Sequence, residues 1–222
     1  MNGFRDREDA GRQLAVELQS YAAKHPVVLA LPRGGVPVGY EIARGLHAPL
    51  DVWVVRKVGV PWHEELGAGA VAEGGYLRLN EDVLQAVGIS PEELAATIQR
   101  KKREVEERAK LFRDGLPRPE LRDRTVILVD DGIATGGTVR AAIESIRAQR
   151  PGAIVLAVPV AAPEAIEALR PEVERIVCLR TPADLHAIGL WYLDFGQVSD
   201  EEVLRFLDRA RREQMEAEHA VA

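Results

Sequence analysis

The stretch "VILVDDGIATGGT", residues 126–138, decides the fold. Val126, Ile127, Leu128 and Val129 form an apolar run that ends in two adjacent acids, Asp130 and Asp131, and then enters a loop of glycine and threonine. A run apolar at every position reads as a strand buried on both faces, the habit of parallel sheets covered by helices. "HPVVLAL" (25–31), "PLDVWVV" (49–55), "AIVLAVPV" (153–160) and "VERIVCL" (173–179) have the same character. Helical stretches are expected at 6–23, from Val36 to about Leu46, after the signature stretch to about Gln149, at 163–169 and at 200–215. Strands alternating with helices predict an α/β fold, a parallel sheet flanked by helices, in one domain of 1–222. "YLRL" (76–79) suggests a small strand. "SPEELAATIQRKKREVEERAKLF" (90–112) is a charged helix with Ser90 as N-cap and Pro91 in its first turn. Residues 56–75, rich in glycine and without a helical face, read as a mobile loop.

The bulk composition narrows the function classes. With 35 acidic and 29 basic residues the net charge is −6, so there is no broad positive field for nucleic acid or an anionic membrane surface. The single cysteine, Cys178, sits in the apolar run "ERIVCLR" and reads as core in a reducing compartment. Residues 1–14 are rich in charge from Arg5 onward and lack a signal-peptide apolar region, and no window approaches a membrane span. A cytoplasmic protein is the expectation.

In a parallel sheet ligands bind beyond the carboxyl ends of the strands. Three loops there carry unusual chemistry: "LPRGGVPVG", "VRKVGVP" and "DDGIATGGT". Each alone has a bland reading, as a tight turn, a surface arginine or a helix cap; their convergence on one edge favours a site. The last is not a P-loop, because Thr138 stands where that motif needs lysine, and no G-x-G-x-x-G follows any expected strand. What it offers is split recognition. Backbone N–H groups of 135–138 can wrap a phosphate monoester, Thr135 and Thr138 add hydroxyls, and Gly136 and Gly137 permit close approach. Asp130 and Asp131, acceptors when ionised, suit the hydroxyls of a sugar diol. Phosphate at one end and vicinal hydroxyls nearby describe a ribose 5-phosphate.

On these residues the chain resembles the type I phosphoribosyltransferases, which move ribose 5-phosphate from phosphoribosyl pyrophosphate to a nitrogen nucleophile. "VILVDDGIATGGT" resembles their donor-binding signature except at Gly132, where the family carries a branched apolar residue; this departure is expected to loosen the loop entrance. The resemblance implies that Asp130 and Asp131 hold the ribose hydroxyls, while Ala134, Thr135, Gly136, Gly137 and Thr138 wrap the 5-phosphate. "LPRGG" is similar to the pyrophosphate loop, with Arg33, Gly34 and Gly35 facing the leaving group. "RKVGVP" and "AVAEGG" are similar to the ends of a mobile catalytic loop in adenine phosphoribosyltransferases, which puts Arg56 and Lys57 on the pyrophosphate side and gives Glu73 the base proton. Ala134 stands where the hypoxanthine-guanine enzymes carry an acid, which disfavours their mechanism. Together with "FRDREDAG" and "GLWYLDFGQVSDEEV", these segments most resemble bacterial phosphoribosyltransferases of unassigned substrate, from about Phe4 to about Leu207.

The resemblance further implies a magnesium-dependent enzyme, with the ion held mainly by pyrophosphate, sugar hydroxyls and water and Asp130 and Asp131 acting indirectly. It implies a hood subdomain over the acceptor base, built from 80–118 and 185–196, in which Trp191 or Tyr192 stacks on the base and Asp194 reads an exocyclic amine. Trp62 and His63 fall in the expected mobile loop and stay ambiguous. A homodimer is implied. The rival readings are a regulatory module that binds the donor or a nucleotide without turnover, and a donor-synthesising relative, whose longer chain with a repeated domain does not fit.

Overall fold

The computed structural model describes residues 3–221, without the side chains of 64, 65, 218, 220 and 221. α1 (Arg7–Glu17), β1 (Val27–Ala30), α2 (Gly35–Leu46) and β2 (Leu50–Val52) come first. β3 (Val55–Val60), β4 (His63–Ala72), β5 (Tyr76–Leu79), α3 (Glu81–Val87) and α4 (Pro91–Arg113) follow. After them run β6 (Thr125–Val129), α5 (Gly137–Arg147), β7 (Ala153–Val160), α6 (Pro163–Leu169), β8 (Arg175–Arg180) and α7 (Asp200–Val221).

The expected parallel sheet is present, in the order β2-β1-β6-β7-β8. Its inner strands β1, β6 and β7 are apolar but for Thr125 because both faces are covered, whereas the edge strands β2 and β8 carry Asp51, Arg175 and Arg180. Val28, Ala30, Ile127, Val129, Val155 and Ala157 pack with residues of α1, α2 and α7 on one face. Val27, Leu29, Val126, Leu128, Ile154 and Leu156 pack with residues of α5 and α6 on the other. Among the described residues no helix is long and apolar enough to cross a membrane.

The structure corrects the sequence reading in three places. "PLDVWVV" is not one strand: Trp53 N–H donates to Ala30 O at 2.9 Å as the last bond to β1, and the chain then leaves for a second sheet. Residues 56–75 form most of that second sheet, antiparallel in the order β3-β4-β5, instead of an irregular loop. Glycines at 59, 67 and 69 and register shifts on either side of Gly59 break the period-two alternation by which such strands are recognised. The short helix α3 was also missed, although Asn80 caps Val83 N–H at its start and Gly88 closes it at φ 67°. By contrast, α4 begins with the expected Ser90, whose side chain and Glu93 form a reciprocal capping box.

Arg113, at the end of α4, fastens the two sheets together. Its guanidinium is buried and donates to Asp51 Oδ2 at 2.9 Å, Val52 O at 2.8 Å and Glu73 Oε2 at 2.6 Å. One side chain therefore joins α4, edge strand β2 and the end of β4. Removing one member of a buried charge group leaves the others unpaired in a poor solvent, which costs more than the group's net contribution. Arg113→Ala should lower unfolding free energy by about 3–5 kcal/mol, measured by urea titration.

Candidate active site

β6 is the middle strand of five, so the acids at its end sit at the centre of the sheet's carboxyl edge. The loop after β1 is drawn alongside: Leu31 N–H donates to Val129 O at 2.8 Å and Gly35 N–H to Leu31 O at 3.0 Å. The Pro32–Arg33 peptide in this loop is cis. A Cβ on Gly34 would lie 2.0 Å from Asp131 Oδ2, so only glycine lets the two loops approach this closely. Ala134, Thr135, Gly137 and Thr138 are exposed at the start of α5. N–H groups in a first helical turn lack intrahelical acceptors, and here they open towards solvent at the positive end of the helix dipole. The structure thus brings Gly34, Gly35, Asp130, Asp131 and the 134–138 loop to one edge, as the sequence reading expected.

Arg7, which that reading did not single out, holds the second acid. Its Nε donates to Asp131 Oδ2 at 2.8 Å, with both side chains largely buried, and its Nη1 donates to Gly196 O at 2.8 Å. The guanidinium carbon lies 3.8 Å from the centre of the Phe195 ring. Tyr192 completes the contact by donating its hydroxyl to Asp131 O at 2.6 Å. Burial, reinforced by the Asp131 charge, pushes the Asp130 carboxyl well above the usual carboxylate range, while Asp131 N–H and Arg7 pull the other way. Only the motif "FRDREDAG" hinted at Arg7, and nothing local in it shows a reach across 124 positions of chain.

Several expected site residues lie elsewhere. Neighbours on a strand face opposite ways, and β3 uses this to part Arg56 from Lys57. Lys57 lines a cavity of about 690 Å³ with Thr135, Gly137, Thr138, Arg78 and Arg140, beside the expected phosphate cradle. Arg56 is half-buried on the α4 side, where burial and then Arg108 depress its pKa, with Arg33 acting in the same sense and Glu104 and Asp200 opposing. Glu73 is 5% exposed, accepting from Val54 N–H at 2.8 Å and from Arg113 at 2.6 Å. It borders a different cavity, beside Lys102, Val105 and Ala109 of α4. Burial raises its pKa against the pull of Arg113. These contacts tie Glu73 to Arg113 of α4 and to the backbone just ahead of β3.

The two segments expected to form a hood pack on different parts of the molecule. Residues 185–196 fold onto the N-terminal segment: Phe4 N–H donates to Trp191 O at 2.8 Å, Leu193 N–H to Phe4 O at 2.9 Å, and Asp194 N–H to Arg5 O at 2.8 Å. α4 packs instead on β3, β4 and α7. Tyr192 is 6% exposed between Phe4 and Phe195, so its ring is hood core and not a surface for stacking a base. Trp191 is half-buried against the same cluster, and Asp194 is exposed. Trp62 and His63 are exposed at the β3–β4 turn. Cys178 is half-buried, and burial raises its thiol pKa, as befits an unreactive packing residue.

The model of the phosphoribosyl transferase domain matches residues 5–189. The chain belongs to the phosphoribosyl transferase family. It is 46% identical over 217 residues to proteins from two Mycobacterium tuberculosis strains that are provisionally named phosphoribosyl transferases. The match covers 98% of this chain and 49% of theirs, so the chain spans about half the length of those curated relatives. The crystal structure of TT1426 from Thermus thermophilus is 43% identical, covers 92% of this chain and 97% of its own, and superposes with a TM-score of 0.80. The AQ2163 protein from Aquifex aeolicus, 16% identical with a TM-score of 0.51 over 90% of this chain and 84% of its own, shares the fold.

Within this family the departure at Gly132 has a packing cause. A Cβ there would lie 2.5 Å from Ile188 Cγ2, so the hood loop occupies the volume that a branched residue would fill. Gly132 is buried. Among the described residues no group of three or more His, Cys, Asp or Glu side chains could hold a metal ion. Asp131 already gives one oxygen to Arg7, so the chain's own donors fit a magnesium ion ligated chiefly by a substrate's oxygens and water, with the two acids assisting. Overpacking a filled site costs about 1–3 kcal/mol. Gly132→Val should therefore lower stability by about that amount, and adding Ile188→Ala should recover most of the loss in the same denaturation assay.

Proposed function

We propose that the chain transfers ribose 5-phosphate from phosphoribosyl pyrophosphate to a nitrogenous base and releases pyrophosphate. The carrying observation is the junction at the end of β6. Asp131 is fixed against Gly34 of the loop after β1, and the exposed 134–138 loop begins three residues further on. A donor laid along this edge would place its 5-phosphate on the N–H groups that open α5, its ribose hydroxyls on Asp130 and Asp131, and its pyrophosphate towards Arg33.

The chemistry follows from the bond that breaks. As the anomeric C–O bond lengthens, positive charge grows on the sugar and negative charge on the leaving group. Arg33 and Arg56 would stabilise the leaving charge, the two acids would hold the sugar's hydroxyls in place, and the β3–β4 hairpin would help to exclude water. Magnesium, when bound through the donor's oxygens, would supply further neutralisation of the pyrophosphate. No proton is assigned to Glu73. The acceptor would approach from the hood side, beside the partly exposed Trp191 and Phe195.

Two charge-assisted hydrogen bonds are at stake at the acids, so Asp130→Asn with Asp131→Asn should lower kcat/KM by a hundredfold or more, about 3 kcal/mol or greater. The assay is pyrophosphate release with donor and magnesium against a panel of purines, pyrimidines and other nitrogen heterocycles. Release with one base names the acceptor. Donor binding without release for any base would replace the transferase reading with a regulatory binding module, and unchanged turnover in the double variant would refute the assignment of the acids.

A further inference from the structure

Asp200, the first residue of α7, faces two arginines from different elements. Its Oδ1 lies 3.7 Å from Arg33 Nη1 of the loop after β1, and its Oδ2 accepts from Arg108 Nη1 of α4. Oδ1 is buried and without a hydrogen-bond donor within reach. The half-buried Arg56 of β3 stands within electrostatic range of Arg108, Arg33 and Asp200. Arg33 and Arg108 therefore meet at Asp200 from two elements, and the Arg56 charge acts on the same group from a third, with Asp200 and Glu104 as the opposing charges. A convergence of like charge is unfavourable unless an anion occupies it.

Helix capping does not explain Asp200. Ser199 and Glu202 already cap α7 reciprocally, Ser199 N–H donating to Glu202 Oε2 at 2.8 Å and Glu202 N–H donating to Ser199 Oγ at 3.1 Å. Position explains it better. Arg33 immediately precedes Gly34, which touches Asp131. A ligand running from the 134–138 loop past the acids would end among these arginines.

We propose that Arg108 is a third pyrophosphate-binding arginine beside Arg33 and Arg56, and that Asp200 is a resident carboxylate that holds the cluster together until pyrophosphate displaces it. The inference rests on the reading of the site as a donor site. A carboxylate carries one negative charge and pyrophosphate several, with oxygens enough for more than one guanidinium, so the incoming anion outcompetes the resident one. Arginine is suited to this exchange because its fork stays charged and binds carboxylate and phosphate alike.

Calorimetric titration of inorganic pyrophosphate into the wild-type chain, Arg108→Gln and Asp200→Asn tests it, with thermal unfolding recorded for each. Arg108→Gln loses charge-assisted hydrogen bonds to the ligand and should bind about tenfold more weakly. Asp200→Asn removes a competitor of the partly exposed class and should bind about threefold more tightly. The opposite signs are diagnostic, because an ion pair that merely held α4 to α7 would weaken binding when broken from either side. Loss of affinity in both variants, or no change in either one, overturns the proposal. Titration of phosphoribosyl pyrophosphate separates this from the wider reading. Pyrophosphate binding with the expected pair of effects but no donor binding would uphold the arginine site and overturn the donor site; donor binding indifferent to both variants would do the reverse.

Discussion

The site depends on placing two adjacent carboxylates at the end of the central strand without driving the loops apart. Asp131 solves half of the problem by lying against a residue with no side chain, Gly34, and by giving an oxygen to Arg7. Asp130 is half-buried, and desolvation together with the Asp131 charge beside it raises its carboxyl pKa. Arg7 is in turn held by Gly196 O and stacked on Phe195. The first turn of the chain's first helix and the hood loop are therefore part of the same electrostatic arrangement as the acids. Backbone hydrogen bonds also pair the N-terminal segment to residues 191–194.

A second constraint is the pleat of β3. One strand sends Lys57 towards the 134–138 loop and Arg56 towards Arg33 and Arg108, so adjacent residues supply positive charge at two separate places. Such a division needs the segment after β2 to be a strand fixed in register. Val58 and Val60 on one face and Val55 on the other join the two halves of the core and fix it. Arg113 clamps the base of the hairpin through Glu73 and Asp51.

The parallel sheet and the loop at 126–138 were legible because their signals are local: unbroken apolar runs, two acids and a small-residue loop before a helix. Long-range relations were not. Arg7 meets Asp131 across 124 positions, and no pattern near Arg7 distinguishes it from a surface residue of a charged helix. The same holds for Glu73, whose motif is visible in the sequence while the arginine that pairs with it lies 40 residues away on α4. The hairpin escaped notice because glycine carries no side chain with which to mark the alternation of a strand.

The most direct test of the account is a crystal structure of the chain with phosphoribosyl pyrophosphate and magnesium. The account predicts the 5-phosphate on the backbone N–H groups of 135–138, the ribose hydroxyls against Asp130 and Asp131, and the pyrophosphate beside Arg33. A sugar phosphate bound elsewhere, with the 134–138 loop still open to solvent, would contradict it.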